Sequence, residues 1–155
     1  MSLISLRPAV LEDASFVDRL TRLVMQSYVE LTWTETSDIE AYFYKNRFNL
    51  ATTKIIQLDG KDIGRVSVLI NENKISIDNI HILPEYQNKG IGSGIIQKVI
   101  DEADIRNLPV VLHVLKVNPA KKLYYALGFN IEEDEIHRYY LKRPSQNEAA
   151  LESAA

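Results

Sequence analysis

The stretch PEYQNKGIGSG, residues 84–94, holds three of the chain's six glycines within five positions. It follows the apolar run ISIDNIHIL and leads into Ile95 and Ile96, so it reads as a strand turning into a helix. The first-turn N–H groups of a helix have no intrahelical acceptor and sit at its positive end. Glycines let such a backbone approach a bound anion closely. Phosphate or pyrophosphate suits that arrangement, and Gln87, Asn88 and Lys89 add side-chain donors. A Walker loop would need Gly-Lys-Ser/Thr after its last glycine, which Ile95 and Ile96 exclude. A dinucleotide fingerprint would need G-x-G-x-x-G at an early strand, whereas the spacing here is G-x-G-x-G after four strand-like runs.

Two groups able to move a proton precede the loop. Asp78 and His81 lie in the run before it. Alternation along a strand puts Asp78 with Ile80 and Ile82, and His81 on the opposite side. His113 alternates with Val111 and Leu115 in an apolar run and is expected to pack in the interior. There is no cysteine and there are three scattered histidines. No thiolate nucleophile, disulfide framework or metal-ligand set is therefore expected.

These groups must be carried by regular elements. Ile4–Arg7 is a short β-like run ended by Pro8. Phe16, Val17, Leu20, Leu23, Val24, Ser27 and Tyr28 form a helical stripe over residues 12–30. Ser37 or Asp38 can cap a second helix reaching Arg47. TTKIIQL, the Asp59-Gly60 turn signal, KDIGRVSVLI and KISIDNIHIL read as an antiparallel meander. Residues 90–106 are helical, PVVLHVLKV is a buried strand, residues 119–127 form a short helix stopped by Gly128, and FNIEEDEIHRYYLKR is a closing hairpin. Strands and helices in this order predict an α/β protein with a mixed, mostly antiparallel sheet. Its 155 residues suit one domain over residues 1–144, with 145–155 as a disordered polar tail.

Two segments carry a family resemblance. YQNKGIGSGII is similar to the Q/R-x-x-G-x-G/A motif of the GNAT superfamily of acyl-CoA-dependent N-acyltransferases. VNPAKKLYYALGF, one strand later, resembles the same family's Ala-x-x-Leu-Tyr-x-x-x-Gly-Phe segment and its preceding asparagine. The element order also resembles that fold, whose central strands splay apart. The resemblance implies an N-acetyltransferase acting on a primary amine by direct attack, with acetyl-CoA as cosubstrate and no metal. The alternative within the same fold is a non-catalytic acyl-CoA sensor or regulatory module.

The resemblance also implies roles for residues. Backbone groups of Ile80, His81 and Ile82 would hold the pantetheine arm and thioester. Gln87 would lead the loop, and the N–H groups of Asn88, Lys89, Gly90, Ile91, Gly92 and Ser93 would wrap the pyrophosphate. Gly94 would serve packing. Asn118 would contact the pantetheine arm, and Tyr124 would protonate the departing thiolate. Asp78 or His81 would be the base. The acceptor amine, a small molecule or a protein amino group, would sit beside Tyr28, Trp33, Glu35 and Tyr139.

The net charge of −3 gives no basic field for nucleic acid. The N-terminal stretch lacks a long apolar core, so neither a signal peptide nor a membrane span is expected. A cytoplasmic protein without a membrane partner follows as the expectation, and a homodimer is the oligomer that the resemblance suggests.

Overall fold

The structure, a computed structural model, describes residues 2–154. The elements run β1 (Ile4–Pro8), α1 (Ala14–Thr32), α2 (Thr36–Lys45), β2 (Thr53–Leu58), β3 (Lys61–Ile70), β4 (Ile75–Ile82), α3 (Ile91–Arg106), β5 (Val110–Leu115), α4 (Lys121–Ala126), β6 (Asn130–Asp134), β7 (Arg138–Arg143) and α5 (Gln146–Ala154). The strand order is β1-β2-β3-β4-β5-β7-β6, a seven-stranded sheet. Pairs β1–β2, β2–β3, β5–β7 and β6–β7 are antiparallel, while β4–β5 is parallel. A parallel pair needs a long crossover, and α3 is that connection. The mixed α/β sheet is the one its sequence predicts. By packing, the chain forms two compact units: residues up to Val68 with Asn79–Gly92, and Leu69–Asp78 with Ser93 onward.

In the first unit, Asp59 and Gly60 have φ of 50° and 84° and join β2 to β3 as a two-residue hairpin. Both positive angles match the right-handed twist of the flanking strands. The register shifts between Ile56 and Gln57, and consecutive residues Ile63–Ser67 of β3 are all buried. Such a run is covered on both faces, unlike the alternation of a half-exposed strand. A Cβ on Gly64 would fall on the His81 carbonyl oxygen and 3.2 Å from Ile82 Cα. Glycine here is a condition for β3 and β4 backbones to approach.

Helix α1 buries Val17, Leu20, Thr21, Met25 and Val29. Leu23, expected on the apolar stripe, is 60% exposed; the buried face is centred on the i, i+4 row through Val17 and Thr21. The start of α1 is held by Asp13, which accepts the Val10 N–H and a bidentate pair from Arg7 at 2.8 and 2.9 Å. Arg7 also pairs with Asp62 on β3. Its guanidinium holds the carboxyls of Asp13 and Asp62 below the usual range. Helix α2 begins two or three residues earlier than expected: Glu35 is its N-cap, and Asp38 lies in the first turn. Phe43 is buried with the Arg22 guanidinium 4.4 Å above its ring.

In the second unit, β4 meets β5 through Ile75–Val110 and Ser76–Val111, the first two residues of each strand. Helix α3 buries Ile95, Ile96, Ile100 and Ala103 and ends at Asn107, whose φ of 54° supplies a left-handed stop. Residues 145–155, read from the sequence as a disordered tail, carry helix α5 up to Ala154. The reason is local. Ser145 Oγ accepts the Glu148 N–H while Glu148 accepts the Ser145 N–H, a reciprocal capping box. Glu148 also binds Lys142 at 2.6 Å, and the Asn147 N–H reaches Asn107. No helix among the described residues is long and apolar enough to cross a membrane.

The close approach at Gly64 gives a direct test. Gly64→Ala should destabilise the fold by about 2 kcal/mol or more, since the obstructing atoms are backbone rather than a flexible side chain. Denaturant melts read the change, and an unshifted midpoint would mean that β4 yields freely at this point.

Candidate functional site

The glycine loop is built as a sequence of tight turns. Pro84–Tyr86 form a single 3₁₀ turn, and the Gln87 N–H bonds back to the Pro84 carbonyl. The Gln87 side chain then donates from Nε2 to the Ile82 carbonyl at 2.9 Å. This ties the loop to the end of β4. Asn88 and Gly90 have φ of 60° and 80°, so the backbone alternates through left-handed positions before α3 begins. Among the described residues, no loop or cap acceptor takes an N–H between Asn88 and Ser93. Residues 87–90 are exposed. The result is an accessible run of backbone donors at the positive end of a 16-residue helix.

The glycines divide differently from expectation. Gly90 is needed for its left-handed backbone. A Cβ on Gly92 would make only ordinary contact, 3.5 Å from Ile82 Cδ1, and one on Gly94 would meet nothing. Gly94 is exposed and serves no packing, which corrects the role expected for it. Neither Gly92 nor Gly94 is required by the protein's own atoms.

On β4, burial follows the alternation around His81. His81 is buried with Arg65, whose Nε donates to Nδ1 at 3.2 Å. Burial, reinforced by the Arg65 charge, pushes the imidazole pKa down to about 3. Ile80 and Ile82 are half-buried. Asp78, in the other unit's share of this strand, is exposed and accepts a hydrogen bond from Ser76 Oγ at 2.7 Å. Also in the first unit are Tyr28, Trp33 and Glu35. Tyr28 and Trp33 are half-buried, with the Trp33 ring 5.8 Å from Tyr42, whereas Glu35 is exposed.

In the second unit, Tyr124 is positioned by the end of α4. Gly128, at φ +95°, lets its own N–H bond to the Tyr125 carbonyl and the Phe129 N–H to the Tyr124 carbonyl. The Phe129 ring packs on Tyr124 at 5.8 Å. This is a Schellman motif with its hydrophobic contact, and Gly128 stops the helix as the sequence predicts. Burial pushes the Tyr124 phenol up to about 12, so it stays protonated at neutral pH. Asn118 accepts the Ala120 N–H at 2.9 Å and so shapes the turn before α4. Lys116 and Lys121 stand 5.0 and 5.9 Å from the Tyr139 ring. Lysine ammonium groups therefore already stand at the ring expected beside the acceptor amine. His113, expected in the interior, is exposed. Its ring lies 4.8 Å from Tyr140 and its Nε2 3.3 Å from Glu135, a carboxylate partner that keeps the imidazole near water.

With this geometry in place, comparison with known proteins is decisive. The model of the acetyltransferase (GNAT) family matches residues 17–129. The chain belongs to that family. It is also 26% identical over 129 residues to an N-acetyltransferase of Archaeoglobus fulgidus described as uncharacterized, covering 74% of this chain and 86% of the relative. Among solved structures, it is similar to the PaiA N-acetyltransferase of Thermoplasma acidophilum, determined in complex with coenzyme A. That match has a TM-score of 0.72 at 18% identity, over 92% of this chain and 99% of the other. An acetyltransferase from Thermus thermophilus matches with a TM-score of 0.67 at 19% identity, over 91% and 96%. At these identities the structural likeness shows the shared fold.

Sequence reasoning missed the residue on which this GNAT chain's β4 depends. Arg65 is 0% exposed. A charged residue inside the apolar run DIGRVSVLI was the available signal, because a buried charge demands partners. No group of residues that could hold a metal occurs among those described.

The His81 environment sets a pH dependence. An unfolded chain protonates this imidazole near 6.5, whereas the native state resists it down to about 3. Below 6.5 the unfolded state therefore holds the extra proton, and native stability falls as pH drops, at about 1.4 kcal/mol per unit for one group. His81→Gln should remove that share of the slope between pH 6 and 5. Equal slopes in urea titrations of the two proteins would mean that His81 charges inside the fold.

Proposed function

We propose that this protein transfers an acetyl group from acetyl-CoA to a primary amine by direct attack. The observation that supports it most is the loop from Asn88 to Ser93. Its N–H groups are unclaimed by loop or cap acceptors, and Gly92 and Gly94 are not needed by the protein itself. A pyrophosphate accounts for both: it accepts the donors and fills the space that side chains at positions 92 and 94 would take. The Ile80, His81 and Ile82 backbone suits an amide-rich pantetheine arm, as an added strand would. For Asn118, the family resemblance alone supports a contact with coenzyme A.

In the reaction, the amine nitrogen bonds to the thioester carbon, the C–S bond breaks, and the sulfur leaves as a thiolate that takes the Tyr124 phenolic proton. Tyr124 suits this role because burial keeps its hydroxyl protonated. The ammonium proton goes to a base, for which Asp78 offers an exposed carboxylate. Donors at the developing oxyanion stabilise the tetrahedral state, and the Ile82 N–H supplies one. The acceptor is a small-molecule amine or a protein amino group, placed by Tyr28, Trp33 and Glu35. A cytoplasmic homodimer is the form proposed.

Thiol release from acetyl-CoA, measured over a panel of amines, tests the activity. Thermal stabilisation by coenzyme A but not by ATP or NAD tests the ligand, and its absence would overturn this reading. Gly92→Glu should fold, since its Cβ meets only ordinary contacts, yet weaken coenzyme A binding at least tenfold by like-charge repulsion. Unchanged affinity would remove the pyrophosphate from this loop. Tyr124→Phe should lower kcat by about 10²-fold with little change in the KM for acetyl-CoA. A wild-type kcat would assign the proton to another donor.

A further inference from the structure

The Arg65 guanidinium reaches four residues of the first unit. Nε donates to His81 Nδ1 at 3.2 Å, and one terminal nitrogen donates to Ser67 Oγ at 3.3 Å. The other donates to Thr21 Oγ1 on α1 at 3.1 Å and to the Asn46 carbonyl, just past α2, at 2.9 Å. A second tie runs parallel to the first, as Asn79 Nδ2 donates to Asn46 Oδ1 at 2.9 Å. Asn79 and His81 are two residues apart and so share one face of β4. Both ties therefore fix this face, while Ile80 and Ile82 point the other way.

The donor to His81 has a chemical consequence. A guanidinium nitrogen has no lone pair and can only donate. Nδ1 must therefore be the bare nitrogen of a neutral imidazole, and Nε2 must carry the hydrogen. We infer that Arg65 is a positioning residue, which locks His81 as the Nε2–H tautomer and pins the Asn79–Ile82 segment on which the acyl-CoA arm would lie. The role in turnover rests on the acyl-transfer reading above; the tautomer lock does not. In this arrangement His81 has no free lone pair for the ammonium proton. It works as a brace rather than as the general base that the sequence allowed.

Glutamine separates the two roles. Its carbonyl oxygen can accept from Arg65 as Nδ1 does, but it cannot act as a base near neutral pH. His81→Ala should lose kcat 10- to 100-fold, because a displaced segment misplaces the reacting atoms, and His81→Gln should recover most of that loss. Equal losses in the two variants would overturn the inference in favour of a base. Arg65→Lys, which keeps the charge but not the planar fork, should lose kcat as His81→Ala does. The independent readout is the ¹⁵N–¹H spectrum of the imidazoles in the wild-type protein, with His81 assigned by its disappearance in His81→Gln. A bare Nδ1 and a protonated Nε2 are expected. A protonated Nδ1 in the wild type would refute the lock. This measurement needs no substrate, so an absence of turnover with every amine would count against acyl transfer and leave the tautomer result standing.

Discussion

A guanidinium with no exposed surface constrains everything around it. Removing a charge from water costs several kcal/mol unless its hydrogen-bonding capacity is met. Arg65 meets it with side chains and a carbonyl drawn from α1, from the segment after α2, and from β3 and β4. These elements cannot move apart without stranding donors. Gly64, next in the chain, lets the β4 backbone come near enough for the imidazole to be reached. The charge and the glycine form one device: one holds the strand and the other admits it. The hydroxyl of Ser67 continues the network to Thr53 at 3.1 Å, linking β3 back to β2.

The same economy governs the backbone ends where chemistry is expected. At the start of α3, donors are left outside the protein's own hydrogen bonding, and helix geometry makes that end positive. At the end of α4 the opposite holds. Gly128 turns the chain so that carbonyls of α4 are answered by Gly128 and Phe129, and the aromatic contact fixes Tyr124. One helix end leaves its donors exposed and the other is closed around a side chain.

Much of this was legible in the sequence because its causes are local. Asp59-Gly60 calls for a hairpin turn whatever lies around it, and Gly128 stops α4 because few other residues accept a left-handed backbone. The Ser145–Glu148 capping box was equally local, yet the small, polar composition of the tail outweighed it in the reading. Failures of another kind involved faces. Leu23 fits an apolar stripe and is exposed; His113 fits a buried alternation and is exposed; Gly94 fits a packing glycine and touches nothing. Periodicity says which residues share a face, but not whether another element covers that face.

By itself, then, the sequence determined the order of strands and helices from β1 to β7, the hairpin turn and helix stop, the glycine loop ahead of α3 and the family. Each follows from spacing and from conformational preferences that act over a few residues. The tertiary structure alone decided which groups answer Arg65, which nitrogen of His81 carries the hydrogen, and how far the Tyr124 phenol is shielded. Those outcomes depend on contacts between residues as distant in the chain as Thr21 and Arg65. Burial and pairing are properties of what surrounds a group, and no local pattern encodes its surroundings.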